Sequence, residues 1–193
     1  MSAVFDLGPW GGLLLVVCSL FLTSGRLAAP VPPVYAPSSS NVCTRGLHHE
    51  LLLSVDAQNR IYLVTDNEHF QSALIERVSK QHGLRFTTSQ LQELGHMPFI
   101  GYAVNQLPTW LTASAIQRRT LPIGLPTTAD NDQLSEYVAA ATALYQIEHG
   151  KPLSLGIMAD GRLASVQVIS LIKLLQKQGI NRYNLVTNME PDL

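Results

Sequence analysis

Between Leu7 and Gly25 the chain carries no charged side chain, and residues 13–22 (LLLVVCSLFL) are almost wholly aliphatic. No other feature limits the possible folds as strongly. A helix rises 1.5 Å per residue, so about 20 apolar residues cross a hydrocarbon layer of about 30 Å. The run is at the short end of that range, and Arg26 can snorkel to extend it. Trp10 is placed as an interfacial anchor. Two rival readings stay open: a cleaved signal peptide and a buried core helix. Against cleavage, residues 1–5 hold no Lys or Arg, and Pro30 directly follows the small residues Ala28 and Ala29. A retained transmembrane helix within residues 1–29 is the favoured expectation. The one nearby charge, Arg26, would by itself place the following residues in the cytoplasm.

Residues 30–46 follow as a Pro- and Ser-rich stalk, with Pro30, Pro32, Pro33 and Pro37 before Ser38, Ser39 and Ser40. Proline fixes φ and lacks an N–H, so this segment is expected to be extended and semi-rigid. Residues 47–193 make the folded domain. The net charge is −1, which offers no basic face for nucleic acid. Cys18 and Cys43 are too few for a disulfide framework, and no structural disulfide is expected.

Within the domain, residues 50–55 and 60–64 are two apolar runs joined by Asp56-Ala57-Gln58-Asn59, the pattern of a β-hairpin. Asp66 or Asn67 is positioned to cap a helix carrying Phe70, Leu74 and Val78, with Gly83 at its end. Residues 84–86 read as a short strand, and Thr88 or Ser89 as the cap of a short helix through Leu94. Residues 95–129 are punctuated by Gly and Pro and are expected to be an irregular insertion. Asn131 is a candidate cap for a helix through Leu134, Val138, Ala141 and Tyr145 to His149. A buried strand at 153–158, a turn at Asp160-Gly161, a helix from Ser165 to Gly179 and a last strand at 183–186 complete a βαβ unit. That helix is expected to carry a stripe of Ile169, Ile172 and Gln176, with Val168, Leu171 and Leu175 beside it. The strands of such a unit should be parallel and the crossover right-handed. The fold class is therefore α/β: one N-terminal transmembrane helix, then a small two-layer α/β domain with a mixed sheet and helices on one face.

No reaction template attaches to these residues. GxSxG, GxxxxGK and GxGxxG are all missing, and no serine stands at a strand-to-helix elbow beside a histidine. His48, His49 and Glu50 are consecutive, and consecutive strand residues point to opposite faces, so no metal site is expected. Asp56, Asp66, Glu68, Asp130 and Asp132 stand where turns and caps need carboxylates. The expectation is a protein that is not an enzyme and holds no cofactor.

Three segments carry a resemblance. Ile157-Met158-Ala159-Asp160, the apolar helix after it, and Gly179 to Glu190 (GINRYNLVTNME) resemble the C-terminal unit of the ExbD/TolR family of biopolymer transport proteins, in its Bacteroidetes-type branch. Gly124-Leu125-Pro126 with Asn131-Asp132-Gln133-Leu134 is similar to that branch's middle motif. Asp6-Leu7-Gly8-Pro9-Trp10, the apolar run and Pro37-Ser38-Ser39 are similar to its N-terminal pattern. The resemblance covers about half the chain. It implies a cell inner-membrane protein with a cytoplasmic N-terminus, one span and a periplasmic domain, an orientation that overrides the lone Arg26. It also implies a homodimer inside an ExbB/TolQ-like polytopic subunit, working on a TonB-like periplasmic transducer. Asp160 would occupy the family's turn. The family's proton-carrying Asp falls on Gly12, leaving only Asp6 as a weak ionisable candidate, so this chain is not expected to relay protons by itself. Ser165 departs from the family's Tyr after the turn. The other function these features allow is a non-motor membrane-anchored periplasmic module that binds cell-wall glycan or a periplasmic protein. Independently of the family, the last strand offers Tyr183, Asn184, Leu185 and Val186 as the candidate edge for a second copy or partner.

Overall fold

The structure, a computed structural model, describes residues 31–39 and 50–189. The expected span at 7–25, with Asp6 and Gly12, lies outside the described residues, as do His48 and His49. Among the described residues no helix is long and apolar enough to cross a membrane.

The chain is an α/β fold around a mixed four-stranded sheet. The elements are β1 (Ser38–Ser39), β2 (Leu51–Val55), β3 (Ile61–Val64), α1 (Glu68–Gln81), α2 (Thr88–Gly95), a 3-10 turn (Val104–Gln106), α3 (Leu107–Thr112) and α4 (Ala115–Arg118). There follow β4 (Thr127–Thr128), β5 (Asn131–Asp132), α5 (Gln133–His149), β6 (Leu155–Ala159), α6 (Ser165–Lys177), β7 (Tyr183–Leu185) and β8 (Asn188–Met189). The main sheet has the order β3-β2-β6-β7. β2 and β3 form the antiparallel hairpin, whereas β2–β6 and β6–β7 are parallel. The βαβ unit expected from the C-terminal third is present as β6-α6-β7.

Register divides the sheet into two faces. Leu51, Leu53 and Val55 lie level with Leu155, Ile157 and Ala159, and with Leu63 and Ile61 across the hairpin. All of these but Ala159 are buried. On the other face Leu52, Val64 and Met158 are only half-buried, while Ser54 and Tyr62 are closed over. Over Tyr62 lies the segment 31–37. The Tyr62 hydroxyl donates to the Pro32 carbonyl at 2.9 Å, and burial pushes its pKa up to about 12, so it stays a donor at ordinary pH. The stalk's first half is thus extended as its prolines require, and it lies against the domain.

Several boundaries differ from the sequence reading. Residues 84–86 are not a strand; Leu84 N–H closes onto the Ser79 carbonyl at 2.9 Å as the chain leaves α1, and Leu84 and Phe86 pack half-buried against the core. The caps are Thr87 for α2 and Asp132 for α5, one residue before or after the expected positions. Asn67 caps α1 as read, its side chain accepting from Phe70 N–H. On α6 the buried residues are Leu171 and Leu175, whereas Ile169 and Gln176 face solvent. Apolar residues on both sides of that helix blurred its stripe.

The largest correction concerns the expected insertion at 95–129, whose residues 97–110 and Leu125 belong to the core rather than to an appendage. Met97, Phe99, Ile100, Tyr102, Val104, Leu107 and Trp110 are buried in the same cluster as the sheet. Leu63 and Ile100 exchange two backbone hydrogen bonds of 2.8 Å, and Leu125 N–H reaches the Ile61 carbonyl at 2.8 Å. This segment therefore covers the outer edge of β3. It is fastened to the helices by Gln71, whose buried side-chain amide donates to the carbonyls of Leu94 (3.1 Å), Gly95 (3.0 Å) and Met97 (2.8 Å). Gly95 allows the close approach: a Cβ there would fall on Ser72 Oγ and within 2.8 Å of the Glu68 carbonyl oxygen.

Candidate functional site

A sheet of this order has two outer edges, and the chain treats them differently. The β3 edge is covered by Ile100 and Leu125. The β7 edge meets no strand among the described residues. In an extended strand the N–H and C=O of one residue point to the same side, and successive residues alternate. Val186 N–H donates to the Ile157 carbonyl at 2.8 Å, so Val186 and Asn184 direct their backbone toward β6. Tyr183 and Leu185 therefore present N–H and C=O outward. The Leu185 side chain is 57% exposed, as are Val166 (66%) and Ile169 (49%) on α6. Asn184 is exposed, and Tyr183 and Val186 are half-buried. Outward peptide groups with uncovered apolar side chains are what a second strand needs.

The other organised feature is the turn after β6. Asp160 is buried, and its carboxylate accepts from Arg162 N–H (3.0 Å), Arg162 Nε (2.8 Å) and Nη2 (2.9 Å), and Tyr35 N–H (3.1 Å). Gly161 N–H donates in return to the Tyr35 carbonyl at 2.9 Å, and the Arg162 guanidinium lies 5.1 Å over the Tyr35 ring. The hydrogen bonds from Arg162 dominate over burial, with help from the backbone N–H groups of Arg162 and Tyr35, and hold the carboxyl well below the usual carboxylate range. Register places Val55 beside Ala159, so a twin turn stands next to it at the end of β2. There Asp56 accepts from Gln58 N–H, Arg60 N–H and the Arg60 guanidinium. Each carboxylate is hydrogen-bonded within its own turn, and Asp160 is bound to Tyr35 as well.

A pH dependence follows from Asp160. Its folded-state pKa is depressed, so its stabilising contribution is complete above the unfolded value of about 4 and is lost as pH falls toward the folded value. Asp160→Asn is expected to lower Tm at pH 7, and the gap to the native chain should close in strongly acidic buffer. A gap that is equal at both ends of a thermal-melt series from pH 7 to pH 2 would contradict this.

Between α6 and the β2–β3 turn lies a cleft of about 320 Å³, floored by Val55, Ile61, Leu171 and Leu174 and rimmed by Asn59 and Gln167. Among the described residues that line it, none is charged. Glu50 is spent on Tyr145 Oη (2.8 Å) and Ser154 N–H (3.1 Å). Among the described residues no group of three or more His, Cys, Asp or Glu side chains is placed to hold a metal.

The structure thus brings Tyr183, Asn184, Leu185 and Val186 to an open edge and puts Asp160 at the turn after β6, the strand next to β7. Sequence reading missed Tyr35 and Arg162, the partners of Asp160. The Asp-x-Arg spacing at a strand end was the available signal for Arg162; Tyr35 lies 125 residues away and carried none. No family model matches the chain, and no curated protein or solved structure matches it either.

Proposed function

We propose that this chain is a non-enzymatic accessory subunit of an ExbD/TolR-like energy-transducing complex, anchored in the cell inner membrane with its domain in the periplasm. Two copies join at β7, inside an ExbB/TolQ-like polytopic subunit, and pass work to a TonB-like periplasmic transducer. The open β7 edge carries the reading, because it leaves one side of the sheet able to accept another strand. The resemblance of residues 157–190 supports it further, since those motifs fall in order on β6, the Asp160 turn, α6 and β7. Gly12, where the family carries its proton-bearing Asp, favours a second reading: a non-motor anchored module that binds cell-wall glycan or a periplasmic protein through the same edge.

Topology separates both readings from a cytoplasmic protein. Ile116 is 76% exposed and remote from the edge, so Ile116→Cys in a background with Cys18→Ser and Cys43→Ser provides a single thiol. A membrane-impermeant maleimide is expected to label it in cells whose outer membrane alone has been opened, with the chain remaining in the membrane fraction. Labelling only after lysis of the inner membrane, or a mature N-terminus beyond Gly25, would refute the placement.

A further inference from the structure

Residues 31–39 cross the domain as a strap. Pro32 and Ala36 are buried and Val34 is half-buried, while Val31, Pro33, Tyr35 and Pro37 are exposed, so alternate residues face inward as in a strand. The polar hold includes Tyr62 Oη on the Pro32 carbonyl and the two-way contact of Tyr35 with Asp160 and Gly161. On the sheet face below, Ser54 lies opposite Tyr62 in the hairpin, and its hydroxyl is buried with no hydrogen-bond partner. The inward side chains, Pro, Val and Ala, are small and bury little.

The end of the strap is where it meets the pairing edge. β1 pairs in parallel with β8, Ser38 beside Asn188 and Ser39 beside Met189, in a two-stranded sheet separate from the main one. Only Val186 and Thr187 separate β8 from β7, and β7 itself has three residues. The strap therefore pairs with the stretch of chain that directly follows the β7 edge.

We infer that strap docking and edge pairing are coupled: while β1 holds β8, the edge is confined to β7, and release of the strap frees residues 188–189 to lengthen it for a second copy. This rests on the reading of β7 as the pairing edge. Because the strap is the segment nearest the expected span, a pull or a partner acting from the membrane side reaches it first.

The test uses the full chain in detergent, with Cys18→Ser and Cys43→Ser, and sedimentation to measure self-association. A Cβ on Gly161 would lie 3.7 Å from the Pro37 Cβ, within the span of a disulfide, so Pro37→Cys with Gly161→Cys locks the strap. Tyr35→Pro removes the N–H given to Asp160 and the ring under Arg162, and loosens it. The oxidised lock is expected to weaken dimerisation by about tenfold, with recovery on reduction, and Tyr35→Pro to strengthen it several-fold. If lock and release leave dimerisation unchanged while Leu185→Pro abolishes it, the coupling is wrong and the edge reading stands. If Leu185→Pro also has no effect, the edge reading fails and the coupling falls with it.

Discussion

Leu185→Pro is expected to abolish self-association while leaving the domain folded, and Asn184→Pro to unfold or strongly destabilise it. The contrast comes from one alternation. Leu185 turns its N–H away from β6, so a proline there removes a donor that the monomer does not use, and its ring enters the space a second strand would occupy. Asn184 turns its N–H toward β6, so proline breaks the ladder within the sheet. An antiparallel partner would exchange two backbone hydrogen bonds with Leu185, each worth about 0.5–1.5 kcal/mol net, and would cover its exposed side chain. Dimerisation should weaken by at least about tenfold. Sedimentation and circular dichroism on both variants decide it; equal loss of fold in the two would show that the outward assignment of Leu185 is wrong.

The largest effect on stability is expected from Gln71→Leu. The change keeps the side chain's bulk and removes the amide that serves the carbonyls of Leu94, Gly95 and Met97. Gln71 is 2% exposed, so water does not replace that donor without opening the α1–α2 contact. The Leu94 carbonyl keeps the Met97 N–H at 3.2 Å, so the loss falls on Gly95 and Met97; a buried acceptor left without a partner costs about 1–3 kcal/mol, and a loss of about 3 kcal/mol is expected. For a domain of this size that corresponds to a Tm lower by roughly 10 °C. Gln176→Leu, on the exposed face of α6, should change stability by less than about 0.5 kcal/mol. A denaturant titration that finds Gln71→Leu as mild as Gln176→Leu would remove Gln71 from the account.

How far the sequence led depended on whether local signals were also the controlling ones. The hairpin and β6-α6-β7 were legible because each combines an apolar run with a turn or a glycine stop, and Asp56, Asn67 and Gly83 act where local chemistry places them. Residues 95–129 were not legible. Their buried side chains at 97, 99, 100, 102, 104, 107 and 110 follow neither the helical nor the strand period, because the chain changes direction within a few residues. Their role, covering the β3 edge, depends on Leu63 and Ile61, more than thirty residues earlier. The same limit applied at the site. Asp160 stood out as a turn residue, but the strap that meets it comes from the other end of the chain, and only the folded structure brings Tyr35 to it. The edge strand was chosen from its place at the end of a βαβ unit; which of its residues face outward came from the hydrogen bond of Val186 to Ile157.

Cysteine cross-linking in the native membrane tests pairing at β7 most directly. In the full chain with Cys18→Ser and Cys43→Ser, single cysteines would be placed at positions 183, 184, 185 and 186 and, as a control, at the exposed position 116. Directly opposed residues of an antiparallel hydrogen-bonded pair have Cα atoms about 5.5 Å apart, inside the range that a disulfide spans. Oxidation is expected to give a covalent dimer most efficiently from Leu185→Cys and none from Ile116→Cys. A dimer that forms equally from Ile116→Cys, or from none of the four β7 positions, would contradict it.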